Sequence, residues 1–296
     1  MDYHFRRLQG CGVDILENVV GGSLTSFKSG GRVSRVLMPS DVEGLIEIIY
    51  TLVSIGEPYK ILGNGTNVLI SDNGYNGTII SLKRIKTLRV EDNYIYSSSG
   101  INISTISLIA RDNGLTGLEY AIGIPASLGG AVTMNAGAYG TETGDKVIYI
   151  EVLNGTSVEK WKQNVLDFGY RSSAIKKNKL IVLGALLNLD YGDKDEIIGA
   201  ISEYTKRRQV AQPIEASAGS TFKRVNDRSA AYYIEQVGLK GARIGRAEVS
   251  KRHANFIINL GGASTSDYLS LADRVAEEVM NNFGIQLELE VECLGD

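Results

Sequence analysis

The chain has 296 residues, of which 34 are Gly and only 4 are Pro, against usual shares of about 7% and about 5%, so the extra glycine is not linker sequence but serves loops that need close backbone approach or positive φ. With 43% apolar and 22% charged residues, the composition excludes a largely disordered chain, a collagen repeat and a coiled coil. A formal charge of −3 points away from a nucleic-acid surface.

In chain order, the N-terminus reads as a helix to about Asn18. The loop Gly21 to Gly31 leads to a strand, Arg32 to Met38. Ser40 with Glu43 spells a capping box before a helix whose stripe is Leu45, Ile48, Ile49 and Leu52. Tyr59 to Leu62 is a short strand, and several more lie between Asn67 and Tyr96. A helix follows from Ser104 to Asp112, stopped by Gly114. Residues Lys146 to Trp161 read as a hairpin turning at Asn154-Gly155. Leu180 to Leu189 is a buried strand and Lys194 to Arg208 a helix. Beyond the polar segment QPIEASAGS come helices Ser229 to Val237 and Ser266 to Phe283, the latter with Tyr268, Ala272, Val275, Val279 and Phe283 on one face. Strands are expected at Asn255 to Leu260 and Ile285 to Glu292. The mixed order is α+β, with a domain boundary between Tyr191 and Gln212.

The inventory of reactive residues is short. Two cysteines (Cys11, Cys293) and two histidines (His4, His253) have no zinc-ligand spacing and form no disulfide framework, although a single bridge stays open. No apolar run reaches the roughly 18 residues of a membrane span. The start, MDYHFRRLQGCGVD, lacks a secretory pattern, so a cytoplasmic protein is expected.

Glycines cluster at Gly63-Asn64-Gly65-Thr66-Asn67 after a strand. Backbone N–H groups there can converge on a phosphate. The Rossmann fingerprint lacks its third glycine, and no P-loop occurs; an ordinary glycine turn is the commoner reading. A second cluster, Gly123-Ile124-Pro125-Ala126-Ser127-Leu128-Gly129-Gly130-Ala131, is small and uncharged. It reads either as a close backbone crossing or as a wall for an extended ligand. Arg171 in FGYRSS suits a carboxylate, but solvated arginines are common. Ser220 in AGSTFKR stands beside two cations, though an N-cap or turn serine explains it too. Glu288, Glu290 and Glu292 fall on one face of a period-2 strand, where like charges favour partial protonation; a solvated edge is the plainer account. His253 reads as structural.

Together the stretches TSFKSGG, LGNGTNVLISD, GLEYAIGIPASLGGAVTMNAGAYG, FGYRSS, AGSTFKR, AEVSKRHANFIIN and LELEV resemble the UDP-N-acetylenolpyruvoylglucosamine reductase family, in family order from Thr25 to Val291. That resemblance implies an FAD-binding domain of the vanillyl-alcohol-oxidase type at 1–193, in two α+β subdomains of about 1–88 and 89–193 with FAD between them. It also implies a C-terminal α+β substrate-binding domain at 194–296. Gly63, Asn64, Gly65, Thr66, Asn67, Gly123, Ile124, Pro125, Ala126, Ser127, Gly130 and Ala131 become the FAD cradle. The flavin is expected to be non-covalent, with NADPH as co-substrate. Arg171 becomes the carboxylate-binding arginine, Ser220 the proton donor and Glu290 the catalytic glutamate. Tyr170 lines the substrate pocket, and Lys223 and Arg224 contact the UDP diphosphate. Arg171 and Ser220 are 49 positions apart, which is similar to the shorter, second type of the family.

The implied activity is reduction of UDP-N-acetylglucosamine enolpyruvate to UDP-N-acetylmuramate for bacterial peptidoglycan. Small molecules are the expected partners, with no metal, nucleic acid or membrane, and a monomer is the expected state. Two positions depart from the family pattern: Ser29, usually Ile or Val, and Glu292, commonly Arg. A flavin oxidase of the same fold and a non-catalytic binding module are the alternatives.

Overall fold

The computed structural model describes residues 3–226 and 228–295. The chain divides into two compact units. The first comprises residues up to Leu16, Arg35–Gly63 and Gly77–Arg207; the second comprises Glu17–Ser34, Asn64–Asn76 and the chain from Arg208 on.

In the first unit the opening helix is short, Tyr3–Gly10. It does not continue to Asn18 as the sequence suggested. Gly12 turns the chain at φ +73, and the stretch beyond it, with β-branched Val13, Ile15, Val19 and Val20, is extended as Val13–Val20. The next helix, Val42–Ser54, buries Leu45, Ile48, Ile49 and Leu52 with Phe5 and Leu8. Burial contributes about 1.5–3 kcal/mol for each such side chain. Its cap is Asp41, whose carboxylate accepts from Gly44 N–H at 2.8 Å, not the expected Ser40–Glu43 box. Ser40 instead donates to Asp41 at 2.9 Å.

Strands Val13–Val20, Arg32–Pro39, Tyr75–Ser81 and Tyr59–Leu62 form one sheet in that order. A second sheet is antiparallel, in the order Ser157–Lys162, Val147–Asn154, Ile181–Asn188, Tyr94–Ser98, Leu88–Glu91. Its hairpin turns through Gly155 at φ +60. The central strand Ile181–Asn188 is buried along most of its length, as its unbroken apolar run requires. Helices Ile103–Asp112 and Leu128–Thr133 supply Ile106 and Leu128 to the core around Ile150 and Ala185.

The second unit holds an antiparallel sheet ordered Ala216–Ser220, Phe256–Asn259, Ala247–Val249, Arg243–Ile244. Helices Ala230–Gln236 and Thr265–Phe283 share its core. The longer helix has a true capping box, Ser264 with Asp267, and ends at Gly284 in the left-handed region, φ +65. Tyr268, Ala272, Val275 and Val279 are buried on the expected face. Phe283 is not; it is exposed and touches the Tyr233 ring edge-on at 5.6 Å.

The expected strand Ile285 to Glu292 is absent. The last strand is Glu292–Leu294, parallel to Val68–Ile70. The reason is a change of partner. Residues Glu288 to Glu290 bond back to the segment after Ser220, and Glu292 onward bonds to the segment after Asn67. Glu288, Glu290 and Glu292 therefore do not share one regular strand face. Cys11 and Cys293 are free thiols, and no helix among the described residues is long and apolar enough to cross a membrane.

Candidate active site

Five backbone and side-chain links in the second unit bring four sequence-remote segments together. Ser26 N–H donates to Gly65 C=O at 2.9 Å, and Ser26 Oγ donates to Ser217 C=O at 2.6 Å. Asn67 Nδ2 donates to Glu290 C=O at 3.0 Å, and Glu292 N–H returns to Asn67 C=O at 3.0 Å. Glu290 N–H donates to Thr221 C=O at 2.9 Å. The Gly65–Asn67 turn thus lies against both the Ser217–Ser220 strand end and Glu290.

Ser220 closes the strand Ala216–Ser220 opposite Phe256, after an irregularity in the ladder. Gly219 takes φ +78 there, and a Cβ on it would lie 3.6 Å from Thr66 C=O. Ser220 is half-buried, and its hydroxyl has no hydrogen-bond partner among the described residues. A hydroxyl so placed keeps its proton available. Next to it, Thr221 Oγ1 accepts from the buried Tyr268 hydroxyl at 2.9 Å. Burial pushes the Tyr268 hydroxyl well above the usual tyrosine value, and the Glu290 carboxylate adds to the rise. Tyr268 therefore stays protonated and acts as a fixed donor.

Lys223 pairs with the Glu288 carboxylate, so an incoming diphosphate would exchange one anion for another. Arg224 is exposed. Glu292 is exposed as well. Ser29 is buried and receives Thr265 Oγ1 at 3.4 Å, so its hydroxyl is accommodated.

In the first unit, Arg171 sits at φ +52 in a tight turn closed by two 3.1 Å bonds between Gly169 and Ser172. Its guanidinium carbon lies 5.0 Å from the Tyr170 ring centroid. Tyr170 is exposed. Asn135, buried at φ +44, holds the turn: its Nδ2 donates to Gly169 C=O at 3.2 Å and to Glu142 at 2.6 Å, and its Oδ1 accepts Gly144 N–H at 2.8 Å. Ser173 anchors the other side through Thr133 C=O at 2.7 Å.

The two glycine clusters present different surfaces. Gly65 is at φ +68, and a Cβ would fall 2.0 Å from Leu24 C=O. The N–H groups of Gly65, Thr66 and Asn67 find no acceptor among the described residues, leaving successive donors of the kind that cradle a phosphate. Gly63, in the first unit, packs against Ser127; a Cβ there would lie 2.6 Å from Ser127 Oγ. In the second cluster the amides are largely used up. Ser127 caps the following helix and takes Gly130 N–H, Ala131 N–H bonds to Ser127 C=O, and Ile103 N–H takes Ala126 C=O. Gly123 N–H bonds to Ser104 Oγ at 3.0 Å. Ile124 N–H bonds to Ala121 C=O. That cluster contributes a smooth, side-chain-poor surface, with Gly123 and Pro125 exposed.

Ser26, Asn67, Asn135, Asn255 and Tyr268 were not singled out as positioning residues by the sequence, although Asn67 was among the cradle residues. Their signal is a polar residue inside an apolar or glycine-rich motif, such as Asn135 in TMNAGAYG.

The model of the FAD binding domain matches residues 33–158, which makes the chain a flavin-dependent oxidoreductase. The model of the UDP-N-acetylenolpyruvoylglucosamine reductase C-terminal domain matches residues 211–294. A UDP-N-acetylenolpyruvoylglucosamine reductase of Clostridium kluyveri is 41% identical over 92% of this chain and 90% of its own. One of Caldicellulosiruptor saccharolyticus is 39% identical over 98% and 95%. The crystal structure of a UDP-N-acetylenolpyruvylglucosamine reductase from Thermus caldophilus superposes with TM-score 0.83 at 33% identity, over 96% of this chain and 99% of that one. The chain belongs to the UDP-N-acetylenolpyruvoylglucosamine reductase family. Its cofactor is FAD.

Proposed function

We propose that the chain reduces UDP-N-acetylglucosamine enolpyruvate to UDP-N-acetylmuramate with NADPH, a step toward peptidoglycan precursors. The observation that carries this reading is the convergence, within one unit, of the Gly65–Asn67 turn, Ser220 and Glu290. The family's relatives named above support the substrate. The division at 1–193 and 194–296, with subdomains near 88, is part of the same proposal.

FAD, when bound, supplies hydride transfer between nicotinamide and substrate carbon. Gly65, Thr66 and Asn67 would hold its phosphates through their free amides, with Asn64 and Gly63 completing the turn. Gly123, Ile124, Pro125, Ala126, Ser127, Gly130 and Ala131 would form the wall. Arg171 binds the substrate carboxylate in a planar fork. Negative charge spreads into that carboxylate as C3 of the enolpyruvyl group gains a hydride, and a preorganised donor of this kind is worth about 2.7–4 kcal/mol. Glu290 is the catalytic glutamate of this reading and stands beside the reacting centre. Ser220 Oγ gives its proton to C2, and water restores it. Tyr170, Lys223 and Arg224 bind the rest of the substrate.

The test is anaerobic. Purified protein reduced by NADPH should be re-oxidised by the enolpyruvyl sugar. Re-oxidation by oxygen with indifference to the sugar would favour an oxidase of the same fold and overturn the reading.

A further inference from the structure

The stretch AEVSKRHANFIIN holds a buried residue whose carbonyl and side-chain amide all bond to the segment after Ser220. Asn255 is 4% exposed, just before the strand Phe256–Asn259. Its C=O accepts Thr221 N–H at 2.7 Å. Its Oδ1 accepts Phe222 N–H at 3.0 Å, and its Nδ2 donates to Phe222 C=O at 2.8 Å. One residue thus grips both residues that follow Ser220.

The same two residues hold the glutamate from their other edge. Thr221 C=O accepts Glu290 N–H at 2.9 Å, and Phe222 bridges Leu289. Asn255 is itself anchored, since its N–H donates to His253 Nδ1 at 3.3 Å. Phe222 is 2% exposed, so its backbone groups have no water to fall back on. A side-chain amide presents an acceptor and a donor side by side, which matches one N–H and one C=O together. Aspartate has the same shape but turns an oxygen toward the Phe222 carbonyl.

We propose that Asn255 is a positioning residue that sets the Ser220 hydroxyl relative to Glu290, acting through Thr221 and Phe222. This rests on the functional reading above. The experiment uses the flavin-loaded full chain as wild type, Asn255→Ala, Asn255→Asp and Glu248→Ala. Glu248 is buried and paired with Arg243 and bonds to neither Thr221 nor Phe222, so its loss is a stability control that leaves the Asn255 hydrogen bonds in place. Each protein is measured for anaerobic reduction by NADPH and for re-oxidation by UDP-N-acetylglucosamine enolpyruvate. Both Asn255 variants should reduce at the wild-type rate and re-oxidise about 10- to 100-fold more slowly, the usual cost of a misplaced reacting group. Their solvent deuterium isotope effect on re-oxidation should rise, and Glu248→Ala should lower Tm without changing the ratio of the two rates.

An unchanged ratio in the Asn255 variants overturns the proposal. Full rescue by the isosteric Asp would also overturn it, because packing alone would then suffice. If the Ala variant does not fold, the Asp variant carries the same comparison. A wild type that the sugar does not re-oxidise overturns the functional reading first, and this proposal with it.

Discussion

Arg171 occupies backbone space that a non-glycine residue enters at a cost of about 1–2 kcal/mol, and the cost is tolerated because Asn135 and Ser173 hold both sides of its turn. A guanidinium fixed this way is a two-pronged ligand that an ammonium does not reproduce. Arg171→Lys should therefore slow sugar-dependent re-oxidation by about 10²–10³-fold while NADPH still bleaches the flavin; single-turnover absorbance separates the two. His253 makes a second prediction. Burial, with Lys240 in the same direction and Glu235 opposing, pushes its imidazole below the usual 6.5. The folded state therefore favours the neutral ring, and the unfolded chain takes up the proton first. The stability this contributes is full above pH 6.5 and falls as pH drops through 6.5 toward the folded value. Thermal melts between pH 7.5 and 5.5 should show a larger loss of Tm for wild type than for His253→Gln. FGYRSS made Arg171 visible in the sequence. Its support was not visible, because Asn135 lies 34 positions from Gly169 and no local pattern links them.

Elements with a single partner face were the legible ones. Val42–Ser54 and Thr265–Phe283 each keep one apolar stripe, and the structure places both. Where a stretch serves two partners, periodicity misleads. LELEVE alternates perfectly, yet its first half bonds beside Ser220 and its end pairs with Val68–Ile70. Pairings as short as Gly137–Ala138 with Thr141–Glu142 have too few residues to show a period. Helix caps were legible in kind but displaced by one residue, since Asp41 outcompetes Ser40 for the Gly44 amide. Asp41→Ala should destabilise the chain by about 1 kcal/mol, read as a lower urea midpoint with an unchanged slope. Ser40→Ala should have a smaller effect, and equal losses would contradict the cap assignment.

At the scale of the molecule, the second unit is assembled from three separate stretches, Glu17–Ser34, Asn64–Asn76 and the chain beyond Arg208. Such closure leaves no trace in local hydropathy. The glycine excess is also sorted by the structure. At Gly65 the carbonyl of Leu24 forbids any side chain and the following amides meet no acceptor among the described residues, whereas the amides around Gly130 are spent on their own helix. Ser220 is the proposed proton donor of the second half-reaction, and stopped-flow spectroscopy of Ser220→Ala under anaerobic conditions tests that role directly. Flavin reduction by NADPH should proceed at the wild-type rate, and re-oxidation by UDP-N-acetylglucosamine enolpyruvate should fall by about 10² to 10⁴-fold. Re-oxidation at the wild-type rate, or loss of both half-reactions together in a folded, flavin-loaded variant, would contradict it.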